Sequence, residues 1–555
     1  MWQQWFYPLL FILLVLLPAP WLGRYIHRVL EGPGHALDKS LLRLCTNDSQ
    51  GQNWQRYLGS LLAFNLAGMA LLMLVLMAQG FLPLNPQHLP GLPWQLALNT
   101  AVSFVSNTNW QAYSGELQLS YFSQMLGLTV QNFASAATGI AVAAALFRGI
   151  SQRQGRQLGN FWQDLLRIAL YLLLPMALVM ALLLIWQGVP QTFNPYPVAH
   201  TLEGAQQTLA LGPVASQEAI KQLGTNGGGF FGANSAYPFE NPTALSNWLE
   251  MVALLLLPAA MVFAFGRYIK DSGHGRAILA AMLVLLLIGL AVALWQESLP
   301  DPTLAGLTTE PGNWEGKESR FGLTLSTLWE VATSAASNGS VNAMHDSFAP
   351  LSGLVALVNM LLGEVIFGGV GAGIYGMLLF VLLTVFLCGL MVGKTPVYLG
   401  KRLGAGQMKW VVASMLVMPL GVLVLGGLTL LLPGHEDVIG SEGPHGLSRL
   451  LYAYASATGN NGSAFAGFGA SDNTQCLLLA LAMVLGRFGI ILPVMAVAGS
   501  LAGAAKVETG QGDFPIKGAL FITLLVITIL MIGGLAFLPA LALGPVADAL
   551  TVGAF

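Results

Sequence analysis

The chain has 555 residues, of which 55% are hydrophobic and only 9% are charged. Since an ordinary soluble domain carries about 25% charged residues, this composition excludes a packed water-soluble protein and indicates a polytopic membrane protein in a lipid bilayer. The net charge of −2 identifies no partner, and we expect no nucleic-acid ligand. Three scattered cysteines without paired spacing indicate neither a disulfide framework nor a zinc site.

Apolar stretches long enough to cross a bilayer, which takes about 20 residues, recur along the chain. Ten are predicted, at 3–22, 57–79, 118–147, 165–187, 243–266, 277–296, 350–391, 410–432, 475–503 and 517–541. The first lacks a basic n-region and a cleavage site, so it is predicted to be a retained span rather than a signal peptide. The stretch 350–391 is counted as one crossing because its glycine-rich middle predicts a helix broken partway.

The basic residues predict the orientation. Of 23 Lys and Arg residues, 18 fall in the alternate loops at 24–56, 148–167, 267–276, 394–409 and 504–517. Since cytoplasmic loops carry the excess of Lys and Arg, these loops are predicted to be cytoplasmic and both termini periplasmic.

Four of the outside loops share one order: a short apolar or amphipathic stretch of about 10–13 residues, a small polar cluster, and then a new span. The candidate filter residues in these clusters are Asn107, Thr108, Asn109 and Gln111; Thr225, Asn226 and Gly227; Ser337, Asn338 and Gly339; and Asn460, Asn461 and Gly462. Aligned on Asn109, Gly227, Gly339 and Gly462, the clusters are 118, 112 and 123 residues apart. This period predicts a fourfold pseudo-repeat.

These residue types suit a filter for a monovalent cation, most naturally K⁺. A dehydrated cation needs converging oxygens, and rings of backbone carbonyls supply them without net charge. Glycine permits the backbone conformations that aim the carbonyls, while Asn, Ser and Thr hold such turns by local hydrogen bonds. A single Asn-Gly pair is only a common turn signal, but four copies at regular spacing favour a filter. Gln111 either completes the site or braces the loop.

The repeats predict the organisation of the chain. We expect an N-terminal span and basic cytoplasmic loop at 1–56, and repeat 1 at 57–147. Repeat 2 is predicted at 165–296, with pore loop 216–242, flanking spans 165–187 and 243–266, and span 277–296 leading into repeat 3. Repeat 3, with its broken helix, is predicted at 277–391, repeat 4 at 410–503 and a C-terminal span at 517–555.

Some residues inside the apolar stretches are candidates for the ion pathway. Glu364 and Arg487 are charges within spans, and such residues usually face a polar interior; a structural pairing for Glu364 and snorkelling for Arg487 are the alternatives. The glycines of the broken stretch are predicted to form a loop beneath the filter, with close helix packing as the alternative. They are Gly368, Gly369, Gly371 and Gly373.

Two nucleotide-like strings do not indicate nucleotide binding. Gly371 to Gly376 satisfies G-x-G-x-x-G but lies in an apolar stretch without the strand–turn–helix context that the motif needs. The glycines of the phosphate-loop-like string ending in Lys394-Thr395 are too closely spaced. The Asp-Lys-Thr-Gly string is absent, so the chain alone is not expected to hydrolyse ATP. No covalent cofactor is expected.

Longer strings carry a family resemblance. They include Asn107-Thr-Asn-Trp-Gln, Gly224-Thr-Asn-Gly-Gly-Gly-Phe-Phe, Gly316-Lys-Glu-Ser-Arg-Phe-Gly, Ala343-Met-His-Asp-Ser-Phe, Asn461-Gly-Ser-Ala-Phe-Ala-Gly and Gly486-Arg-Phe-Gly. Together they resemble the potassium-binding A subunits of the bacterial Kdp potassium-transporting ATPase, along nearly the whole chain. Lys394 is a further candidate residue of the ion pathway. It departs from the family, in which Arg is common, and a lysine does not make the bidentate contacts of an arginine.

The resemblance implies an all-α membrane protein of the potassium-channel-like transporter superfamily, with four span–pore-loop–span units and extra terminal spans. It also implies location in the bacterial inner membrane and partners: a P-type ATPase B subunit, a single-span C subunit and, in some members, a small accessory peptide. The A subunit would take K⁺ from outside and pass it sideways to the ATPase subunit. A stand-alone potassium channel or cation symporter of the same superfamily is the alternative, and a secondary transporter for an organic solute is a more distant one.

Overall fold

The apolar stretches form long helices because backbone polar groups in a bilayer must be satisfied within the chain. The structure, a computed structural model, describes residues 2–32, 50–152, 155–300, 312–507 and 514–553. Within these ranges, ten helical segments are long and apolar enough to cross a membrane: Gln4–Glu31, Trp54–Phe81, Ser123–Ser151, Phe161–Gln187, Ala244–Tyr268, Ser272–Glu297, Ala372–Met391, Ala405–Leu430, Asn473–Gly503 and Ala519–Thr551. Each corresponds to one predicted span.

The helices of the described residues follow one another along the chain. In chain order they are α1 (Trp2–Leu16), α2 (Ala19–Glu31), α3 (Trp54–Ala78), α4 (Trp94–Val105), α5 (Gly115–Gln118), α6 (Val130–Ser151), α7 (Phe161–Arg167), α8 (Leu174–Gln187), α9 (Val214–Leu223), α10 (Ala244–Tyr268), α11 (Ser272–Glu297), α12 (Gly322–Ala335), α13 (Pro350–Leu361), α14 (Ala372–Met391), α15 (Ala405–Met415), α16 (Val417–Pro419), α17 (Gly426–Leu430), α18 (His435–Ile439), α19 (Gly443–Gly459), α20 (Asn473–Gly503), α21 (Ala519–Leu541) and α22 (Ala547–Thr551).

Short irregular and extended elements complete the described part of the chain. Within it, π-helical segments continue neighbouring helices at Ser123–Thr129, Ile168–Leu173, Leu420–Leu425 and Ala542–Val546. Turns of 3₁₀ helix lie at Gln79–Phe81, Asn234–Ala236 and His345–Ser347. Antiparallel hairpins pair β1 (Val198–His200) with β2 (Gln206–Thr208), and β3 (Val397–Tyr398) with β4 (Lys401–Arg402).

Polar residues begin several spans by capping the first free backbone N–H groups. The side chain of Asn160 accepts from Trp162 and Gln163 ahead of α7. Asp271 and Asp472 accept in the same way at the starts of α11 and α20. Single polar N-cap residues therefore determine where these apolar helices begin.

Four span–pore-helix–span units make up most of the molecule. The short helices α4, α9, α12 and α19, which we name pore helices 1 to 4, each lie between two spans and end at one of the polar clusters. The second span of repeat 4, α20, packs along α6, the second span of repeat 1, so that the units close into a ring. Gln4–Glu31 and Ala519–Thr551 are the extra terminal spans, which confirms the predicted fold class.

The pore helices are less uniform than the predicted 10–13 residues. Pore helices 1 and 2 have 12 and 10 residues, but pore helix 3 has 14 and pore helix 4 has 17. Pore helix 4 begins earlier because Pro444 occupies its first turn, where the missing N–H costs nothing. The pattern of apolar residues did not reveal this turn, since Pro444 and His445 are not apolar.

The third repeat contains the predicted helix break. Its second span consists of α13, an irregular segment at 362–371, and α14. Gly363, Gly368 and Gly371 all have positive φ, a conformation that glycine adopts readily and most residues avoid. The chain can therefore leave the helix, cross the inner end of the pore and re-enter a helix.

Candidate functional site: a four-stranded cation filter

Each pore helix delivers the chain directly into its polar cluster. Pore helices 1, 2 and 3 end two residues before Asn107, Thr225 and Ser337, and pore helix 4 ends at Gly459, immediately before Asn460. The C-terminal end of a helix carries partial negative charge. Four such ends therefore face one polar region, an arrangement that favours a cation.

The four clusters share one backbone conformation. We call the segments 107–109, 225–227, 337–339 and 460–462 filter strands 1 to 4, or simply strands; they are not the β-strands β1 to β4. In each of them the first and third residues have positive φ, and the middle residue does not. The values are +67° and +54° at Asn107 and Asn109, +48° and +92° at Thr225 and Gly227, +51° and +80° at Ser337 and Gly339, and +60° and +101° at Asn460 and Gly462. A repeated left-handed conformation at non-glycine residues is uncommon, so this pattern reflects a shared structural demand.

The third residues pack against carbonyl groups of the neighbouring strand. A Cβ added to Gly227 would overlap the carbonyl of Asn338, one added to Gly339 would overlap the carbonyl of Asn461, and one added to Gly462 would overlap the carbonyl of Thr108. The carbonyls of three of the four middle residues, Asn338, Asn461 and Thr108, therefore lie against the neighbouring strand. Glycine is required at these positions for space as well as for conformation.

Asn109 is the exception among the third residues. Its side chain points back toward α6, where its Nδ2 donates to Asn132 Oδ1 at 2.6 Å. Asparagine tolerates positive φ better than most residues do. The first strand thus keeps the backbone conformation while one of the four copies carries a side chain.

Side-chain hydrogen bonds join strand 1 to both its neighbours. Asn107 Nδ2 donates to the Thr225 carbonyl at 2.9 Å, and Asn226 Nδ2 donates to Asn107 Oδ1 at 2.7 Å. On the other side, Asn460 Nδ2 donates to Thr108 Oγ1 at 2.9 Å. All these side chains are buried.

Two further contacts close the ring. Ser340 Oγ donates to Gln222 Oε1 at 3.0 Å between repeats 3 and 2, and Ser337 Oγ donates to the Asn460 carbonyl at 2.9 Å between repeats 3 and 4. Each of the four boundaries between repeats is therefore bridged by at least one side chain. The ring of strands is held at a set width from behind, which leaves the carbonyls of the middle residues available to an ion.

Gln111 holds the strand of repeat 2. Its Nε2 donates to the Gly229 carbonyl at 3.1 Å, and its Oε1 accepts from Gly229 N at 3.0 Å. Because the amide oxygen is engaged, the geometry favours the bracing role over a ligand role.

A cavity of about 550 Å³ opens above the strands. Its lining includes Asn109, Gly227, Gly339 and Gly462 together with Lys317 and His345. The adjacent Asp346 instead turns away, since its carboxylate contacts Arg449 Nη2 at 2.8 Å. Burial alone would raise the pKa of Asp346, but hydrogen bonds from His445 and Arg449 hold it below its usual value.

The glycine-rich segment at 362–371 lies beneath the strands. Gly368 N donates to the Ala335 carbonyl at the end of pore helix 3 at 2.7 Å, and Val370 N donates to Thr225 Oγ1 at 2.8 Å. Gly371 packs so closely on the backbone of Gly139 that a Cβ would overlap it. The segment therefore has specific contacts with two of the repeats and with α6.

Glu364 and Arg487 both lie near the inner end of the filter. Glu364 is buried, and its Cδ is 3.5 Å from where a Cβ on Gly459 would lie. Arg487 Nη2 donates to the Ser135 carbonyl at 3.0 Å, and Ser135 Oγ donates to Asn107 Oδ1 at 2.8 Å. Since Arg487 is only 4% exposed, it does not snorkel.

Lys394 is not part of this group. It is exposed just beyond the end of α14 and lines a separate cavity of about 360 Å³ with Thr395 and Phe514. The 20 residues of α14 span about 30 Å, which separates Lys394 from the broken segment.

Sequence reasoning missed a buried ionic cluster behind strand 2. Lys221 Nζ lies 2.8 Å from both Glu218 Oε2 and Glu240 Oε2, and all three side chains are buried. Phe231 N donates to Glu240 Oε1 at 3.0 Å, which ties the cluster to the chain just after the strand. The sequence signal for this cluster was the presence of Lys221 and Glu218 inside pore helix 2. Assigning the basic residues to loops placed Lys221 in an outside loop and did not reveal its partners.

Comparisons with known proteins identify the family of the chain. The family model for the potassium-transporting ATPase A subunit matches residues 9–550. The chain is 60% identical over 554 residues to the potassium-transporting ATPase potassium-binding subunit of Pseudomonas aeruginosa, with 98% of each chain covered. The proteins of the same name from Rhodospirillum centenum and Edwardsiella ictaluri are 56% and 54% identical, with 98% of this chain and 97% of theirs covered.

Among solved structures, the potassium transporter TrkH from Vibrio parahaemolyticus has a TM-score of 0.51 at 16% identity, covering 88% of this chain and 97% of that chain. At that identity the likeness extends to the fold alone. The length and identity of the sequence matches show more: the chain belongs to the family of A subunits of the potassium-transporting ATPase.

Proposed function

We propose that this chain is the potassium-binding subunit of an ATP-driven potassium importer, and that K⁺ binds at the ring formed by the four strands. The observation that carries the proposal is the packing of each third-position glycine against a middle-residue carbonyl of the next strand. Relatives over 98% of the chain carry the name potassium-binding subunit. The chain itself is the non-catalytic subunit, and hydrolysis of ATP belongs to another.

The ring can bind a dehydrated cation for an elementary reason. Leaving water costs the ion its hydration shell, and converging carbonyl dipoles replace that shell without placing a fixed charge in the site. The side chains that bridge neighbouring strands resist changes in ring width.

The pathway we propose begins in the outer cavity and turns sideways below the filter. K⁺ enters the cavity of about 550 Å³ and binds among the strands. The segment at 362–371 blocks the direct route, with Gly368, Gly369 and Gly371 supplying its tight conformation. Gly373, in the first turn of α14, packs closely on the Phe367 carbonyl. Glu364 and Arg487 lie where the ion leaves the filter and set the local field. Lys394 acts at the cytoplasmic end of α14.

The complex we propose contains the partners of a P-type pump. The B subunit, a P-type ATPase, hydrolyses ATP and receives the ion, while a single-span C subunit and a small accessory peptide complete the assembly. We place the chain in the bacterial inner membrane with both termini in the periplasm, because the basic loops follow the positive-inside rule.

Purification of the intact complex tests the function. A tagged chain should co-purify a P-type ATPase whose activity is stimulated by K⁺ at low concentration and not by Na⁺. Purification of this chain alone, with K⁺ conductance in liposomes, would instead favour the stand-alone channel. ATPase activity that does not respond to K⁺ would contradict the proposal.

A further inference from the structure

Pore helices 2 and 3 carry a glutamate at the same position. Glu218 precedes Gly227 by nine residues, and Glu330 precedes Gly339 by nine. Both side chains are fully or almost fully buried, with 1% and 0% of their surface exposed. The corresponding residues of repeats 1 and 4 are Thr100 and Ala453, so the acidic residue belongs to two of the four repeats.

In repeat 2 the carboxylate has a cation and hydrogen-bond donors beside it. Glu218 Oε2 lies 2.8 Å from Lys221 Nζ, and Glu218 Oε1 accepts from Gln222 Nε2 at 2.7 Å and from Ser235 Oγ at 3.1 Å. A buried charge is normally paired and hydrogen-bonded in this manner because its desolvation is costly.

In repeat 3 the equivalent partners are missing. Neither Oε1 nor Oε2 of Glu330 has a hydrogen-bond partner among the described residues. The residue that corresponds to Lys221, six before the third-position glycine, is Thr333, and its hydroxyl likewise has no partner within the described chain. The substitution of threonine for lysine at this point leaves the carboxyl of Glu330 without a counter-charge on its own helix.

The cation available from the neighbouring loop is already engaged. Lys317 Nζ lies 2.8 Å from Glu297 Oε2 and 4.1 Å from the centre of the Phe348 ring. Its charge is therefore shared with another buried carboxylate. Burial and the neighbouring Glu297 disfavour the ionised form of Glu330, while Lys317 favours it. The ionised form therefore needs a further positive charge nearby.

We propose that Glu330 is an affinity-determining residue for the transported cation: its buried carboxylate, uncompensated in repeat 3, adds to the attraction that holds a monovalent cation in the filter. Glu330 lies five residues before the end of pore helix 3, or about 7.5 Å along the axis, and that end faces the strands. A unit charge at about 10 Å in an effective dielectric of 20 changes cation binding by roughly tenfold.

This inference rests on the proposed function, since it assumes that the cation binds among the strands. Glu330 would act through its charge, at a distance, and would not contact the ion. This mode of action predicts how the affinities for two different ions change. A charge acting from a distance attracts K⁺ and Rb⁺ equally, because both carry one positive charge. A change in the shape of the filter, in contrast, alters the ratio of their affinities.

The test uses ATPase activity of the intact complex, measured against K⁺ and Rb⁺ concentration. Glu330→Gln keeps the shape and removes the charge, and it should raise the half-saturating concentrations of both ions by about tenfold, with their ratio and the maximal rate unchanged. Glu330→Asp keeps the charge, and both ions should stay within about threefold of wild type. Glu203→Gln, in the exposed turn between β1 and β2, is the matched control and should change nothing.

The remaining outcomes decide against the proposal in separable ways. Unchanged half-saturation in Glu330→Gln, or a shifted ratio of K⁺ to Rb⁺, would overturn the role of Glu330. An equal loss in Glu330→Asp would assign the effect to packing and also overturn it. Gly339→Ala alters a strand itself and separates the proposed filter from the role of Glu330. If Gly339→Ala leaves the half-saturating concentrations of both ions unchanged, the filter assignment fails. If Gly339→Ala changes them and Glu330→Gln does not, only the inference about Glu330 fails.

Discussion

The carbonyl oxygen of Asn338 fills the space into which a Cβ on Gly227 would project. These residues belong to repeats 3 and 2, and the same relationship joins Gly339 to Asn461 and Gly462 to Thr108. In each of these pairs the residue must be glycine because the carbonyl of the next strand occupies the position of a Cβ. The width of the ring is therefore a property of neighbouring pairs of strands.

Substituting Gly227 by alanine should weaken K⁺ binding more than it destabilises the fold. The new Cβ would overlap the Asn338 carbonyl and would also require a positive φ of +92°, so the strands must separate. We expect half-saturating K⁺ to rise at least about tenfold, equivalent to about 1.4 kcal/mol, in K⁺-stimulated ATPase assays.

Gly204→Ala is the matched control for that experiment. Gly204 also has a positive φ, +86°, but a Cβ there meets nothing within 4 Å. It should show only the conformational cost, roughly 1 kcal/mol of stability, with normal K⁺ dependence. Equal K⁺ dependence in the two variants would contradict the steric argument.

Replacing Gln111 by leucine should loosen strand 2 without removing an ion ligand. The change deletes both hydrogen bonds to the Gly229 backbone, each worth about 1 kcal/mol. We expect a weaker apparent K⁺ affinity and a smaller ratio of K⁺ affinity to Rb⁺ affinity. Gln191→Leu removes a similar brace, to Ser216 N at 3.0 Å, on an exposed outer loop and should leave ion dependence unchanged. An unaltered preference in Gln111→Leu would exclude the bracing role.

Deletion of 368–370 should open a direct leak through the third repeat. It removes the hydrogen bonds from Gly368 to Ala335 and from Val370 to Thr225, so the segment no longer closes the inner end of the filter. Passive Rb⁺ flux into liposomes without ATP should rise while Na⁺ flux stays low. Deletion of 202–204 in the outer hairpin is the control. Wild-type flux from an assembled 368–370 variant would favour the packing role of these glycines.

Stability should depend on the protonation of His445. Its Nδ1 lies 2.9 Å from Asp548 Oδ2 and its Nε2 lies 3.2 Å from Asp346 Oδ1, and these hydrogen bonds raise the pKa of His445 to about 9 although burial opposes them. Arg449 also faces Asp346. Since the folded pKa exceeds the unfolded value of about 6.5, the contribution is complete below pH 6.5 and is lost as the pH rises through 9.

Thermal unfolding of the purified complex measures this effect. Between about pH 6.5 and 9.5 the free energy of unfolding of the wild type should fall by on the order of 1 kcal/mol. This is less than the full linkage value because the His445 side chain is partly exposed. His445→Gln should lose this pH dependence, and His200→Gln, an exposed residue of β1, should retain it. A wild-type profile in His445→Gln would show that another group titrates.

The predictive power of the sequence was greatest for features with a strong periodic signal. Ten apolar stretches predicted ten helices, because a span must satisfy its backbone within itself and its length follows from bilayer thickness. The four clusters were found because equal spacing is visible without coordinates. The break in the third repeat followed from glycines such as Gly368 and Gly371, which are disfavoured in a helix interior.

Side-chain partners were decided by the tertiary structure. The contact of Gln111 with Gly229, which favours the bracing role, is visible only in the tertiary structure. The burial of Arg487 likewise depends on the packing of α20 on α6. Lys221 and Glu330 both lie inside pore helices. One is paired and the other is not, because pairing depends on which residues four separate repeats bring within a few ångströms, and local sequence carries no information on that distance.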